Sequence, residues 1–250
     1  MITAALALSL PGCTASPPRP SEILVSAAIS LRTPLERITT IYHDRHEDVR
    51  VRFNFGASGL LSAQVERGAP ADVFASASEK FLDELERQGL LLSETRRVIA
   101  RNRLVVIAPR GMDRPLEDMA ALTSLERIAV GNPKTVPAGI YARQCLERLG
   151  LWEELVRRLI LAENARQILD YAARGEVQAA LVYATDAAIL PEAIRVVASA
   201  PEGCSEPIRY GMAVVTTSRM PYASQAFVDL TVSREGQEVF ASAGFLPPQL

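Results

Sequence analysis

An α/β protein with mainly parallel sheets, divided into two lobes, is what this sequence predicts, on three observations. Short apolar, strand-like runs alternate with helix-period runs from residue 22 to residue 245, the pattern of strands joined by crossover helices. The runs outnumber what one five-stranded sheet would use. Serine or glycine recurs where a strand-like run gives way to a helix-like one, and ligands meet such sheets beyond the carboxyl ends of the strands.

Each element can be justified in turn. "EILVSAA" (22–28) reads as a buried strand, and "TPLERITTIYHDR" as a helix with Thr33 as cap, Pro34 at its first position and Glu36 closing a capping box. "VRVRFNF" alternates in polarity as a half-buried strand does. "GLLSAQVERG" is a helix stopped by Gly68; "ADVFASA" is a strand; "SEKFLDELERQG" is a capped helix ending at Gly89. "NRLVVIAP", "RIAVGNP", "AALVYATDA", "IRVVASAP" and "YGMAVVTT" are further strands. "AGIYARQCLERLG" and "ARQILDYAARGE" are helices, and a helix pair, "ASQAFVDLTVSREGQEVFASAG", ends the pattern before Phe245.

The charge balance, 27 Lys and Arg against 29 Asp and Glu, gives no global attraction to nucleic acid or anionic lipid, so an anionic ligand must be held by local dipoles. The stretch "MITAALALSLPGC" is apolar but too short to span a membrane, and fits the core of a secretory signal. "LPGC" resembles a lipoprotein box with Cys13 as the lipidated residue. Two departures, no Lys or Arg before the apolar run and Pro11 inside the box, raise the alternative of a start further upstream. Residues 1–20 are thus expected to be leader and tether, with the mature chain periplasmic or at the cell surface. Any membrane association would run only through a lipid on Cys13. In that compartment Cys145 and Cys204 could pair, but two cysteines far apart in sequence say little alone, and unpaired thiols packed as small apolar groups are at least as good a reading.

"FNFGASGLL" (53–61) offers Ser58 at a strand-to-helix turn, as a nucleophile or as part of an anion cup. The hydrolase elbow G-x-S-x-G is one residue short here. The only histidines, His43 and His46, precede Ser58 in the charged segment "YHDRHEDVR" and read as a solvated helix end. No zinc motif, P-loop or dinucleotide fingerprint is present. The expectation is a binding protein without a cofactor rather than an enzyme. Helix N-termini present unpaired N–H groups and a partial positive charge, so two facing each other could hold a small anion. Ser30, Ser58, the "VPAG" turn at 136–139 and the turn before "ARQIL" are candidates. Taken singly, each reads first as an ordinary cap.

Together, "ILVSAAISL", "FNFGASGLLSAQVERGAPADVFASAS", "RNRLVVIAP", "IAVGNPKTVPAGIYARQCLERLGLWEEL" and "LVYATDA" resemble the periplasmic molybdate-binding proteins of ABC importers, over nearly the whole mature chain. The resemblance implies a two-lobed type II periplasmic-binding fold, monomeric, holding molybdate or tungstate in the cleft for delivery to an importer's permease. It implies hydroxyl and N–H donors from Ser30 and Ser58, backbone N–H groups from Ala138 and Ala165, and the phenol of Tyr183. Ala165, where relatives often carry valine, and Ile29, where alanine is common, bear on cavity size and hence on the choice between molybdate and sulfate, the alternative cargo. Asp186 and Asp72 are expected to brace local turns without touching the ligand. Lobe 1 would comprise 21–100 plus 208–250, and lobe 2 residues 101–207, with crossings in "RNRLVVIAP" and around "EPIRYGMAVV".

Overall fold

The computed structural model describes residues 21–112 and 116–248. The expected leader and tether, with Cys13 as the lipidation candidate, lie outside the described residues. The chain runs β1 (Ser21–Ala28), α1 (Arg32–His43), β2 (Val49–Gly56), α2 (Ser58–Glu66), β3 (Val73–Ser76), α3 (Glu79–Arg87) and β4 (Arg97–Arg101). It continues through β5 (Leu104–Pro109), β6 (Ile128–Gly131), α4 (Pro137–Arg148), α5 (Trp152–Leu155), β7 (Leu159–Ala162), α6 (Ala165–Ala173), β8 (Ala179–Tyr183), α7 (Ala184–Ala187) and β9 (Ile194–Ser199). It closes with β10 (Arg209–Val214), α8 (Pro221–Val232) and α9 (Arg234–Ser242).

Two five-stranded sheets result, in the orders β2-β1-β3-β10-β4 and β7-β6-β8-β5-β9, one to each lobe. β1 is buried along its inner half because helices cover it, and Ile23, Val25 and Ala27 have no exposed surface. The expectation of mainly parallel sheets needs correcting. β1, β2 and β3 pair in parallel, but β10 enters antiparallel to both β3 and β4. In the second sheet β5 is antiparallel to both neighbours, β8 and β9. These inverted strands are the ones adjoining the interlobe crossings.

Local readings fared unevenly. Gly68 and Gly89 stop α2 and α3 with φ of 79° and 69°, which glycine adopts without a Cβ penalty. Thr33 is not a cap: a short 3-10 turn at Ile29–Leu31 runs straight into α1, whose N-cap position is Leu31. Pro34 therefore sits inside the first turn, where its missing N–H has no helical partner to lose. The apolar run after residue 179 ends as a strand at Tyr183 and turns into α7. Asp72 is a brace, as expected: its carboxylate accepts from Leu24 N–H at 2.8 Å, and from Ser218 Oγ–H at 2.7 Å.

The first crossing is built around Asn102, which is 8% exposed. Its amide donates to Thr185 Oγ1 of α7 at 2.9 Å and to the Tyr210 hydroxyl of β10 at 3.2 Å, tying both crossings together. Cys145 and Cys204 are joined in a disulfide that links α4 to the segment before the second crossing, which decides the open question of their pairing. No helix among the described residues is long and apolar enough to cross a membrane.

Candidate functional site

A small cavity lies between the lobes, and all five residues nominated from the sequence line it. The first lobe contributes Ser30, at the turn after β1, and Ser58, the first residue of α2. The second lobe contributes Ala138 in the first turn of α4, Ala165 at the start of α6 and Tyr183 at the end of β8. Ile29 is part of the same wall, and no charged side chain lines it.

The helix starts are arranged as donors. Neither α2 nor α4 has a side-chain cap among the described residues, so no side chain takes up their first-turn N–H groups, although Gly59 N–H of α2 donates to the Thr135 carbonyl. α6 differs, because Asn164 caps it by accepting from Gln167 N–H at 3.0 Å. α4 can approach so closely because two glycines meet there. A Cβ on Gly139 would fall 2.0 Å from the carbonyl oxygen of Gly131, at the end of β6. The "VPAG" glycine thus has a steric reason, and it sets where the N–H of Ala138 points.

Ser58 is fully buried, and its Oγ accepts from Ala77 N–H at 3.1 Å. A hydroxyl that is already an acceptor keeps its own proton for another partner. Tyr183 is 1% exposed, and its hydroxyl has no hydrogen-bond partner among the described residues. Burial, with Tyr210 beside it, pushes the Tyr183 phenol well above its ordinary value, so it stays a proton donor. The Tyr210 ring lies 5.7 Å away, centroid to centroid, and its hydroxyl is next to Ser30. An unpaired buried donor is uncommon and costs about 1–3 kcal/mol, so its place in a cavity wall points to an acceptor that arrives from outside.

Asp186 sits in α7, outside the cavity lining, and is 3% exposed. Its Oδ2 has no hydrogen-bond partner among the described residues, so there that oxygen does not brace the turn as expected from sequence. Burial pushes its carboxyl up to about 7, with Arg166 pulling the other way. His46 stacks on Tyr42 at 4.4 Å within lobe 1, and neither His43 nor His46 lines the cavity that holds Ser58. Reading the sequence missed Ala77, Asn102 and Tyr210. A polar Asn102 between two apolar strand runs was the one signal that could have been followed.

Comparisons with known proteins bear on the family and the fold. The family described as bacterial extracellular solute-binding protein matches residues 23–246. The molybdate-binding protein ModA of Escherichia coli (strain K12) is 35% identical over 230 residues, spanning 90% of this chain and 88% of that protein. The substrate-binding domain of a putative molybdenum ABC transporter from Clostridium difficile superposes with a TM-score of 0.71 at 32% identity, covering 92% of this chain and all of that one. The sulfate-binding protein SubI from Mycobacterium tuberculosis H37Rv superposes with a TM-score of 0.80 over 91% of this chain and 87% of its own; at 17% identity it shows the fold alone. With its two-lobed type II architecture and a family match over residues 23–246, the chain belongs to the bacterial extracellular solute-binding proteins.

Proposed function

We propose that this protein is the extracytoplasmic capture component of an ABC importer, that it binds molybdate and tungstate, and that it is a binder rather than an enzyme. The observation that carries the reading is the buried, unpaired Tyr183 hydroxyl, in a cavity it shares with Ser58 and two uncapped helix starts. Burying a dianion is costly unless its oxygens are hydrogen-bonded, and hydrogen bonds to ionised acceptors are roughly twice as strong as neutral ones. Donors without a facing carboxylate also disfavour protonated anions, whose O–H needs an acceptor, so phosphate should bind poorly.

Ser30, Ser58, Ala138, Ala165 and Tyr183 are the proposed oxyanion contacts. Sulfate has the same charge and shorter bonds, so the choice falls to cavity volume, where Ile29 and Ala165 form part of the wall. We take lobe 1 as 21–100 plus 208–250 and lobe 2 as 101–207. The protein works as a monomer, held at the membrane, if at all, through a lipid on Cys13; the closed form is what a permease would recognise.

Calorimetric titration of anion-stripped protein with molybdate, tungstate, sulfate and phosphate tests this. One-to-one binding of molybdate and tungstate, with sulfate far weaker, is expected. A preference for sulfate would reassign the cargo, and no binding of any of the four would refute the reading. Ala165→Val should change the molybdate-to-sulfate ratio; equal effects on both anions would refute the volume argument.

A further inference from the structure

Besides the cavity wall, a backbone hydrogen bond joins the lobes next to the site. Gly59, the second residue of α2, donates its N–H across the cleft to the carbonyl of Thr135, in the turn before α4, at 2.9 Å. There is no room there for a side chain. A Cβ on Gly59 would lie 2.8 Å from both Cα and O of Thr135, and 2.9 Å from Cζ of Phe81 in its own lobe. The Thr135 atoms belong to backbone, and that backbone is itself held. Thr135 N–H and Val136 N–H both donate to Asn132 O, Lys134 N–H donates to Asn132 Oδ1, and Asn132 N–H donates to Ala162 O of β7. The turn cannot retreat without breaking this set.

We propose that Gly59 and Thr135 form the latch of lobe closure, a backbone-to-backbone contact that requires position 59 to have no side chain. The proposal rests on the reading of the protein as a binder that closes on its ligand. Ser58 and Ala138 flank the latch, one on each lobe, so an interlobe gap at Gly59 separates the two helix starts that must converge on one anion. In the open protein the contact is absent, and alanine, the better helix former, is tolerated in α2. Within lobe 1 the end of the Phe81 ring must shift to admit the methyl, whereas across the cleft the methyl meets held backbone, so Gly59→Ala acts mainly on closure. When only a fraction of molecules can close, the apparent dissociation constant rises in inverse proportion to that fraction.

The test combines calorimetry with small-angle scattering, with and without sodium molybdate, on the parent, on Gly59→Ala and on Gly59→Ala/Phe81→Leu. The last variant makes room on the lobe 1 side and leaves the Thr135 backbone in place. The expected result is an unchanged or raised ligand-free Tm for Gly59→Ala, an affinity weaker by about tenfold or more, and a radius of gyration that contracts less than the parent's. The double variant should keep the closure defect. Parent-like contraction and affinity in Gly59→Ala, or their recovery in the double variant, would overturn the latch while leaving the binding reading intact. A parent that binds no anion refutes the binding reading instead. Ligand-free scattering then decides the latch: a parent more compact than Gly59→Ala supports it, and equal radii overturn it.

Discussion

Removing a single oxygen at Tyr183 should separate stability from affinity. The hydroxyl is buried and has no hydrogen-bond partner among the described residues, so Tyr183→Phe deletes no hydrogen bond seen there. Leaving a buried polar group unpaired costs about 1–3 kcal/mol, and the variant is relieved of that to whatever extent the free protein is closed. Ligand-free Tm should therefore stay level or rise. The anion, by contrast, loses one donor. A hydrogen bond to a charged acceptor contributes about 1.5–3 kcal/mol, which corresponds to a roughly 10- to 150-fold weaker dissociation constant. The ring stays in place, so its packing against Tyr210, at 5.7 Å, is kept. Calorimetric titration with molybdate gives the affinity, and thermal unfolding without anion gives the stability. An unchanged dissociation constant would remove Tyr183 from the site. A Tm several degrees lower would show that the hydroxyl has a partner in the free protein, refuting the reasoning at its first step.

Three other perturbations follow from the geometry. Asp186 has its carboxyl raised in the fold from 3.8 to about 7, so the native state holds more protons than the unfolded chain in that window. Stability should then fall as pH rises from about 4 to about 7 and level off above, by roughly 4 kcal/mol in all, and Asp186→Asn should flatten that slope in urea titrations. Gly139→Ala would place a methyl against the Gly131 carbonyl and should destabilise by about 1–3 kcal/mol or more, read as a lower urea midpoint at constant slope. An unshifted midpoint would count against the close approach of α4 and β6. Breaking the Cys145–Cys204 disulfide, whose cysteines are 59 residues apart in sequence, should cost about 4 kcal/mol by the chain-entropy relation; a Tm indifferent to reductant would mean the two sulfurs are not joined in solution.

The alternation of strands and helices was legible because buried parallel strands are short apolar runs and the covering helices are amphipathic. The second lobe's "LILA" escaped notice because four residues give no period to read, and β4, "RVIAR", because arginines flank its apolar centre. The antiparallel entry of β5 and β10 was not legible, since strand direction is fixed by where the chain re-enters a sheet and not by its local pattern. At the cavity the sequence motifs nominated Ser30, Ser58, Ala138, Ala165 and Tyr183, which one cavity brings together. Residue types alone would have left each as a cap or a packed ring. What no pattern could reveal are the pairings across sequence: Ala77 with Ser58, Asn102 with Thr185 and Tyr210, and Gly59 with Thr135.

The position of β10 carries a consequence for how the molecule comes into being. Residues 209–214 lie between β3 and β4, in a sheet otherwise drawn from residues 21–101. The other sheet is complete once residue 199 is present. As the chain emerges from one end to the other, the half made first in sequence is finished last in space, because its sheet is missing an interior strand until the final fifth arrives. The wall that carries Ser30 and Ser58 thus belongs to a scaffold closed by the chain's own tail. A copy that stops before residue 209 lacks the strand between β3 and β4, and so cannot complete the sheet behind Ser30 and Ser58.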